Sequence, residues 1–386
     1  MNRGVPIAAG VAAIILLGAG LAGAIVMQRL TQPTAQPAAT ASPGAQGDLP
    51  TTSEANTSST DAVSVVAENL TIPWAIDWLP GGELLVTERP GTLSIMGPDR
   101  KTIPITGVEH VGEGGLQGLA VHPQYAENNY IYLYLTTKSD ARLTNRVDRY
   151  VLVDNNLSDR TTIIDDIPGA GSHDGGRIAF GPDDLLYVTI GDATDEDAAQ
   201  DPISLNGTIL RVHDDGSALL ENPFASLVYS YGHRNPQGIT WDNLGRLWAT
   251  EHGRSGSASG LDELNIITPG GNYGWPVIEG DEIADRMISP VLHSGPDVTW
   301  APAGIAYQGG NLYFAGLRGQ SLYQLPLDNT TSDSLRAHFF GEYGRLRDVR
   351  VGPDGFLYVT TSNQDGRGQV QVGDDKILRI DPAGIQ

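Results

Sequence analysis

The sequence predicts an all-β fold, a six-bladed β-propeller, behind an N-terminal hydrophobic segment and a polar linker. Two observations carry this. A turn rich in Gly, Asp or Asn followed by a short β-run of the form Leu-aromatic-Val-Thr recurs six times between Ala62 and Gln386. Amphipathic helical patterns are almost missing from the same stretch. The unit occurs at Gly82–Thr87, Asn129–Leu133, Asp184–Thr189, Gly245–Thr250, Asn311–Ala315 and Gly355–Thr360. Two copies follow an apolar strand ending in a turn, at Arg177–Asp183 and Val349–Asp354. Six units in about 325 residues leave roughly 54 each, enough for a four-stranded blade and a functional loop. An irregular β-sandwich is the competing architecture, but six similar units distribute poorly over two sheets.

The chain reads as three zones. Arg3 precedes an uncharged run from Val5 to Met27, long enough to cross a bilayer, where roughly 20 residues are needed. Ala22-Gly23-Ala24 offers an exit for a signal peptidase, yet apolar Ile25–Met27 follow at once. Residues 1–30 therefore read as an uncleaved anchor in preference to a removed signal. Either way the remainder is expected outside the cytoplasm, tethered to the membrane if the segment is retained. Residues 31–61, rich in Thr, Ser, Ala, Pro and Gln, contain almost nothing that could fill a core and read as a flexible spacer. Residues 62–386 are the propeller. With 386 residues, 40% of them hydrophobic, the chain has ample material for a core. The absence of cysteine excludes disulfides, thiolate metal sites, a lipid-modified cysteine and a cysteine nucleophile. A formal charge of −22 speaks against nucleic acid as a partner and suits a protein that binds calcium.

The informative stretches are those that interrupt strand alternation. Gly112–Leu119 sets four glycines around Glu113, either as a tight turn or as a loop through which backbone approaches a ligand. Gly171–Arg177 brings His173 to a glycine-rich blade entry; a neutral imidazole there accepts protons near neutral pH. Tyr231–Gly238 places five hydrogen-bonding side chains in eight residues, more than a core can satisfy without partners. Its Arg234 and Asn235 suit a planar carboxylate or quinone. Glu251-His252-Gly253 and Asp262–Asn265 offer oxygens for a hard cation, without EF-hand spacing. Arg345 and Arg347, two apart on a strand, point to one face, which is costly unless an anion lies between them. With Arg234 and Arg318 they suggest a polyanionic ligand on the axis.

These segments, together with Asn272–Pro276, Pro302–Gly304 and Arg345–Val349, resemble in order and content the soluble quinoprotein glucose dehydrogenase and aldose sugar dehydrogenase family. The resemblance covers essentially all of Ala62–Asp381 and is closer to the compact bacterial aldose sugar dehydrogenase branch. It implies pyrroloquinoline quinone (PQQ) on the axis, calcium coordinating it, and oxidation of the C1 hydroxyl of an aldose to the lactone. It implies His173 as general base, oriented by Asp192. Arg234 and Asn235 would hold the quinone oxygens, and Arg318, Arg345, Arg347 and Thr299 the carboxylates. Glu113 and Asp174 would face the substrate. The carbonyls of Gly253 and Arg254 would ligate the active-site calcium, and Glu263 and Tyr273 a second, structural calcium. The chain departs from the family at Glu113, where glutamine is usual, at Arg318, where the glucose enzyme has lysine, and at Arg254, where proline commonly follows the glycine. The electron acceptor would be a cytochrome, a quinone or an artificial dye.

Two other classes use the same architecture. Six-bladed lactonases and related hydrolases bind calcium on the axis through Glu, Asn and Asp side chains, and have no need of converging arginines. Extracellular binding propellers carry no chemistry, and His173 beside Arg234 and Asn235 favours catalysis over that role.

Overall fold

The computed structural model describes residues 62–97, 99–139, 142–256 and 259–385; the expected anchor and spacer, residues 1–61, fall outside them. Among the described residues no helix is long and apolar enough to cross a membrane.

A single strand, β1 (Val63–Ala67), precedes the first complete blade, β2 (Pro73–Trp78), β3 (Leu84–Glu88), β4 (Thr92–Met96) and β5 (Lys101–Pro104). The second blade is β6 (Leu116–Val121), β7 (Tyr130–Ser139), β8 (Arg142–Val153) and β9 (Asn156–Pro168). The third is β10 (Ile178–Phe180), β11 (Leu186–Ile190), β12 (Thr208–Val212) and β13 (Val228–Tyr231). The fourth is β14 (Pro236–Trp241), β15 (Leu247–Glu251), β16 (Glu263–Ile267) and β17 (Leu292–His293). The fifth is β18 (Pro302–Gln308), β19 (Asn311–Gly316), β20 (Ser321–Pro326) and β21 (Arg336–His338). The sixth, β22 (Leu346–Val351), β23 (Leu357–Thr361) and β24 (Ile377–Ile380), takes β1 as its outer strand. Val63 pairs with Ile380 and Ser64 with Arg379, so the two ends of the domain close the ring on each other.

Each of the six recurring sequence units is the second strand of a blade. All five residues of β3, β11 and β15 are buried, which is why these strands read as continuous rather than alternating runs. The first strand of each blade lies nearest the axis, packed against its counterparts in the flanking blades. Five of these six inner strands carry a β-bulge, in Pro73–Ala75, Leu116–Leu119, Pro236–Gly238, Pro302–Ile305 and Leu346–Val349. A bulge frees a backbone N–H from the ladder and re-aims side chains.

The threonine of the repeated motif answers the first of these. Thr87 Oγ1 accepts from Ala75 N at 3.0 Å and Thr360 Oγ1 from Asp348 N at 3.0 Å; in the third blade, where β10 has no bulge, Thr189 Oγ1 accepts from Arg177 N just before the strand, at 2.9 Å. The Thr87 hydroxyl also donates to Gln117 O in the next blade, and Thr250 donates to Ala303 O. One residue type thus satisfies the inner strand and ties neighbouring blades together. The re-aimed side chains meet on the axis. Arg177 lies 4.4 Å over the Trp74 ring and pairs with Asp348 at 3.0 Å, while Arg347 Nη1 donates to Gln237 Oε1 at 3.1 Å. This buried polar layer is the floor of the site.

Candidate active site

The loops that enter the inner strands, and those between second and third strands, gather at one end of the ring. His173 sits there with φ of 62°, a left-handed backbone unusual for histidine. Three contacts hold it. Its N–H donates to Glu113 Oε2 at 3.2 Å and its carbonyl accepts from Ala193 N at 3.1 Å. Gly191 packs so closely that a Cβ there would lie 1.9 Å from the same carbonyl. The glycines of the 112–118 loop serve a similar purpose: a Cβ on Gly112 would lie 2.0 Å from Gly171 O, and one on Gly118 2.2 Å from Gly176 O. Their close approach is to the His173 loop itself.

The His173 ring is fixed from both sides. Nδ1 lies 2.8 Å from Asp192 Oδ1 and Nε2 lies 2.9 Å from Arg234 Nη2. A guanidinium only donates, so Nε2 carries the lone pair and Nδ1 the proton. Asp192 is fixed in turn, Oδ1 accepting from Thr194 N at 2.8 Å and Oδ2 from Trp275 Nε1 at 2.9 Å. Trp275 reaches this place because the segment after β16 returns along β13: Tyr231 N donates to Gly271 O, Tyr273 N to Tyr231 O and Trp275 N to Gly232 O. Its ring then packs 5.2 Å from the Arg234 guanidinium.

Beneath Arg234 lies a row of three buried groups. Ser230 Oγ is 2.9 Å from His233 Nε2, and His233 Nδ1 is 2.9 Å from Glu251 Oε2; the other Glu251 oxygen accepts from Arg234 N. The row has the composition of a hydrolytic triad, but Ser230 is fully buried and no substrate reaches it. It holds the Arg234 backbone instead.

Several polar atoms beside His173 are buried without a protein partner, among them Arg234 Nε, Asn235 Nδ2 and His252 Nε2. Asn235 is oriented by Gly175 N, which donates to its Oδ1 at 3.0 Å and leaves the amide nitrogen free. Burial, with the charges of Arg234 and Arg347 against that of Glu113, pushes the His252 imidazole down to about 3. Unpaired buried donors are expensive unless a ligand takes them.

The adjoining cavity, about 290 Å³, is lined by Glu113, Gly253, Arg254, Thr299, Arg318, Arg345 and Arg367, among others. Arg318 is exposed and donates to Ser259 Oγ at 2.6 Å, which also contacts Thr299 Oγ1. Arg345 borders the cavity, whereas Arg347 lies in the floor. Burial, with Arg89 and Arg345 nearby and Asp365 opposing, pushes Arg347 down to about 9. The anion expected between the two arginines is a protein carboxylate: Asp365 Oδ2 lies 2.9 Å from Arg345 Nη2 and 4.0 Å from Arg347 Nη2. Arg345 lies one residue before β22 rather than on it, and its proximity to Arg347 is compensated within the fold and does not itself call for a bound anion. Asp174 is buried below the His173 loop, Oδ1 accepting from Asn145 Nδ2 at 2.9 Å and Ala170 N at 3.1 Å. Desolvation raises it to about 6 despite those bonds.

Glu263 and Tyr273 border a second, smaller cleft with Arg234, Glu251 and Glu279. Burial and the charge of Glu251 raise Glu263 to about 8. The Tyr273 hydroxyl is engaged, donating to Ile266 O and accepting from Thr268 N. Among the described residues no three acidic or imidazole side chains converge on a metal position.

Sequence reasoning missed Asp365, Arg367 and the role of Trp275. Asp365-Gly366-Arg367 has the composition of an ordinary turn, and only the fold carries it to the cavity.

A propeller whose axial cleft combines an oriented imidazole, unpaired donors and a cationic wall belongs among the sugar-oxidising propellers rather than the hydrolytic ones. The chain belongs to the glucose/sorbosone dehydrogenase family, whose profile matches residues 70–378. It is 30% identical to the aldose sugar dehydrogenase YliI of Escherichia coli, over 79% of this chain and 91% of that one. It superposes on the PQQ-bound aldose sugar dehydrogenase of Streptomyces coelicolor with a TM-score of 0.76 and 41% identity, covering 83% of this chain and 97% of that one. A putative glucose dehydrogenase-type oxidoreductase of Thermus thermophilus aligns with a TM-score of 0.77 and 43% identity, covering 82% of this chain and 99% of that one.

Proposed function

We propose that the chain oxidises the C1 hydroxyl of aldose sugars to lactones, using PQQ and calcium, with His173 as the base. The observation that carries this reading is the His173 ring, whose Nε2 lone pair is held by Asp192 and Arg234 beside unpaired donors and a wall of arginines. Those donors fit a flat tricarboxylate quinone: Arg234 Nε and Asn235 Nδ2 would meet its quinone oxygens, and Arg318, Arg345 and Thr299 its carboxylates. Arg347 would add positive charge from the floor. The carbonyls of Gly253 and Arg254 would hold calcium against it. Bound there, the quinone supplies a hydride acceptor and the cation polarises its carbonyl.

The protein's own part is proton transfer and orientation. The sugar C1 hydroxyl takes the place of Arg234 Nη2 at His173 Nε2 and gives its proton to that nitrogen as hydride leaves C1 and the C1–O double bond forms. Asp192 stabilises the resulting imidazolium through Nδ1–H. Arg234, its backbone N–H anchored on Glu251, swings its guanidinium off Nε2 and keeps it beside the site to stabilise negative charge. Glu263, with a backbone carbonyl of Tyr273, would hold the second calcium, which would keep a carboxylate otherwise driven toward its protonated form ionised. An extracytoplasmic location, tethered through residues 1–30, and an external electron acceptor complete the reading.

The test is reconstitution of the purified protein with PQQ and calcium, followed by an aldose panel with an acceptor dye. Dye reduction dependent on both additions supports the proposal; no reduction with any aldose and no spectral sign of bound cofactor overturns it.

A further inference from the structure

Arg367 belongs to the last blade, in the segment between β23 and β24, yet it meets a loop 254 positions away in sequence: its Nη1 lies 2.8 Å from Glu113 Oε1. The two side chains face each other across the cavity, Arg367 61% exposed and Glu113 18%. The other Glu113 oxygen accepts the His173 N–H at 3.2 Å. A guanidinium on one blade thus reaches, through a single carboxylate, the backbone of the proposed base.

The loop that carries Arg367 is itself ordered. Asp365 Oδ1 accepts from Arg367 N at 2.9 Å, and Gly366 between them has φ of 87°, a conformation open to glycine. The other Asp365 oxygen takes Arg345 Nε and Ser362 Oγ. The same carboxylate therefore places Arg345 on the cavity wall and aims Arg367 at Glu113. Burial would raise Glu113, but the Arg367 hydrogen bond and the charges of His252 and Arg367 hold it down to about 2. It is an acceptor only, with one oxygen committed to Arg367 and the other to His173.

We propose that Arg367 is a positioning residue: it fixes Glu113 as an oriented acceptor at the cavity, which holds the His173 backbone and selects aldoses carrying a hydroxyl donor beside the reacting carbon. This rests on the dehydrogenase reading. A carboxylate with both oxygens oriented has lone pairs left for a sugar hydroxyl and no proton to offer, so a sugar lacking that hydroxyl forfeits a charge-assisted bond.

The experiment compares wild type, Arg367→Ala and Arg367→Lys, each reconstituted with PQQ and calcium and assayed on glucose and 2-deoxyglucose. Wild type should prefer glucose by about 10- to 100-fold in kcat/KM, the range for one charge-assisted bond. In Arg367→Ala that preference should fall to a few-fold, through a higher KM and lower kcat on glucose, and Arg367→Lys should restore part of it. Amide exchange of the cofactor-free protein supplies a readout independent of turnover. The His173 amide should exchange faster in Arg367→Ala, while amides of β11 and β15 keep their wild-type rates. Unchanged sugar preference with unchanged His173 exchange overturns the proposal, as does uniformly faster exchange across the domain. A wild type that turns over no aldose refutes the dehydrogenase reading instead, and the exchange measurement then judges the clamp alone.

Discussion

Replacing Asp192 with asparagine probes the orientation of His173 with almost no change in shape. The carboxylate serves three donors: His173 Nδ1 and Thr194 N at Oδ1, both at 2.8 Å, and Trp275 Nε1 at Oδ2, at 2.9 Å. The backbone N–H of Thr194 cannot reverse its polarity, so the amide oxygen of asparagine takes the Oδ1 position. His173 then keeps its tautomer and its bond, but to a neutral acceptor. The amide nitrogen is left facing the Trp275 N–H, donor against donor. A hydrogen bond to a charged group contributes about 1–2 kcal/mol more than a neutral one, so kcat should fall about 5- to 30-fold. The unsatisfied indole N–H should lower stability by about 1–3 kcal/mol. The assay is steady-state dye reduction with saturating PQQ, calcium and aldose, beside urea denaturation of the same variant. An unchanged kcat would refute the reasoning, since the carboxylate would then contribute nothing to the imidazolium. A loss as complete as that of His173→Ala would also refute it, since the tautomer would then have been lost.

Two further outcomes follow from the same geometry. Asp174 is almost fully buried and its carboxyl is raised from 3.8 to about 6. The folded state therefore holds this proton more tightly than the unfolded chain, and the stability it confers, about 3 kcal/mol, is complete below about pH 4 and lost as pH rises through about 6. In Asp174→Asn that part of the pH dependence should vanish from urea midpoints measured across this range. Arg345→Ala should leave the buried Asp365 carboxylate with the longer Arg347 contact as its one remaining ion pair, lowering stability by about 3 kcal/mol in chemical denaturation. The same variant should weaken PQQ binding about 10- to 100-fold in a spectroscopic titration.

The architecture was legible because its signal is local. A Gly/Asp/Asn turn and a doubly buried strand ending in threonine lie within six residues of one another, and in the first and last blades the threonine is tied to the bulged inner strand it serves. His173, Arg234 and Asn235 were legible as a group because glycine-rich entries to inner strands concentrate polar residues that no core could absorb, whereas Asp192 was legible only through the family resemblance. Their partners were not. Asp365 and Arg367 come from a turn like any other, and their function depends on contacts to loops at 113 and 345 that only ring closure creates. Trp275 was visible as an aromatic in a turn, but its reach to Asp192 requires the chain after β16 to double back along β13. The charges of Arg345 and Arg347 demand a counter-charge, and the fold supplies one in Asp365. The ligand argument therefore rests on the atoms left unpaired, Arg234 Nε and Asn235 Nδ2.

The central claim is that His173 takes a proton from an aldose hydroxyl beside a bound quinone, and one pair of measurements on His173→Ala tests it most directly. PQQ is titrated into wild type and variant in the presence of calcium and followed by absorbance, and each is then assayed for aldose-dependent dye reduction. The account predicts equal cofactor affinity in the two proteins, with turnover in wild type and none above background in the variant. A variant that still turns over at the wild-type rate, or a wild type that binds no PQQ, would contradict it.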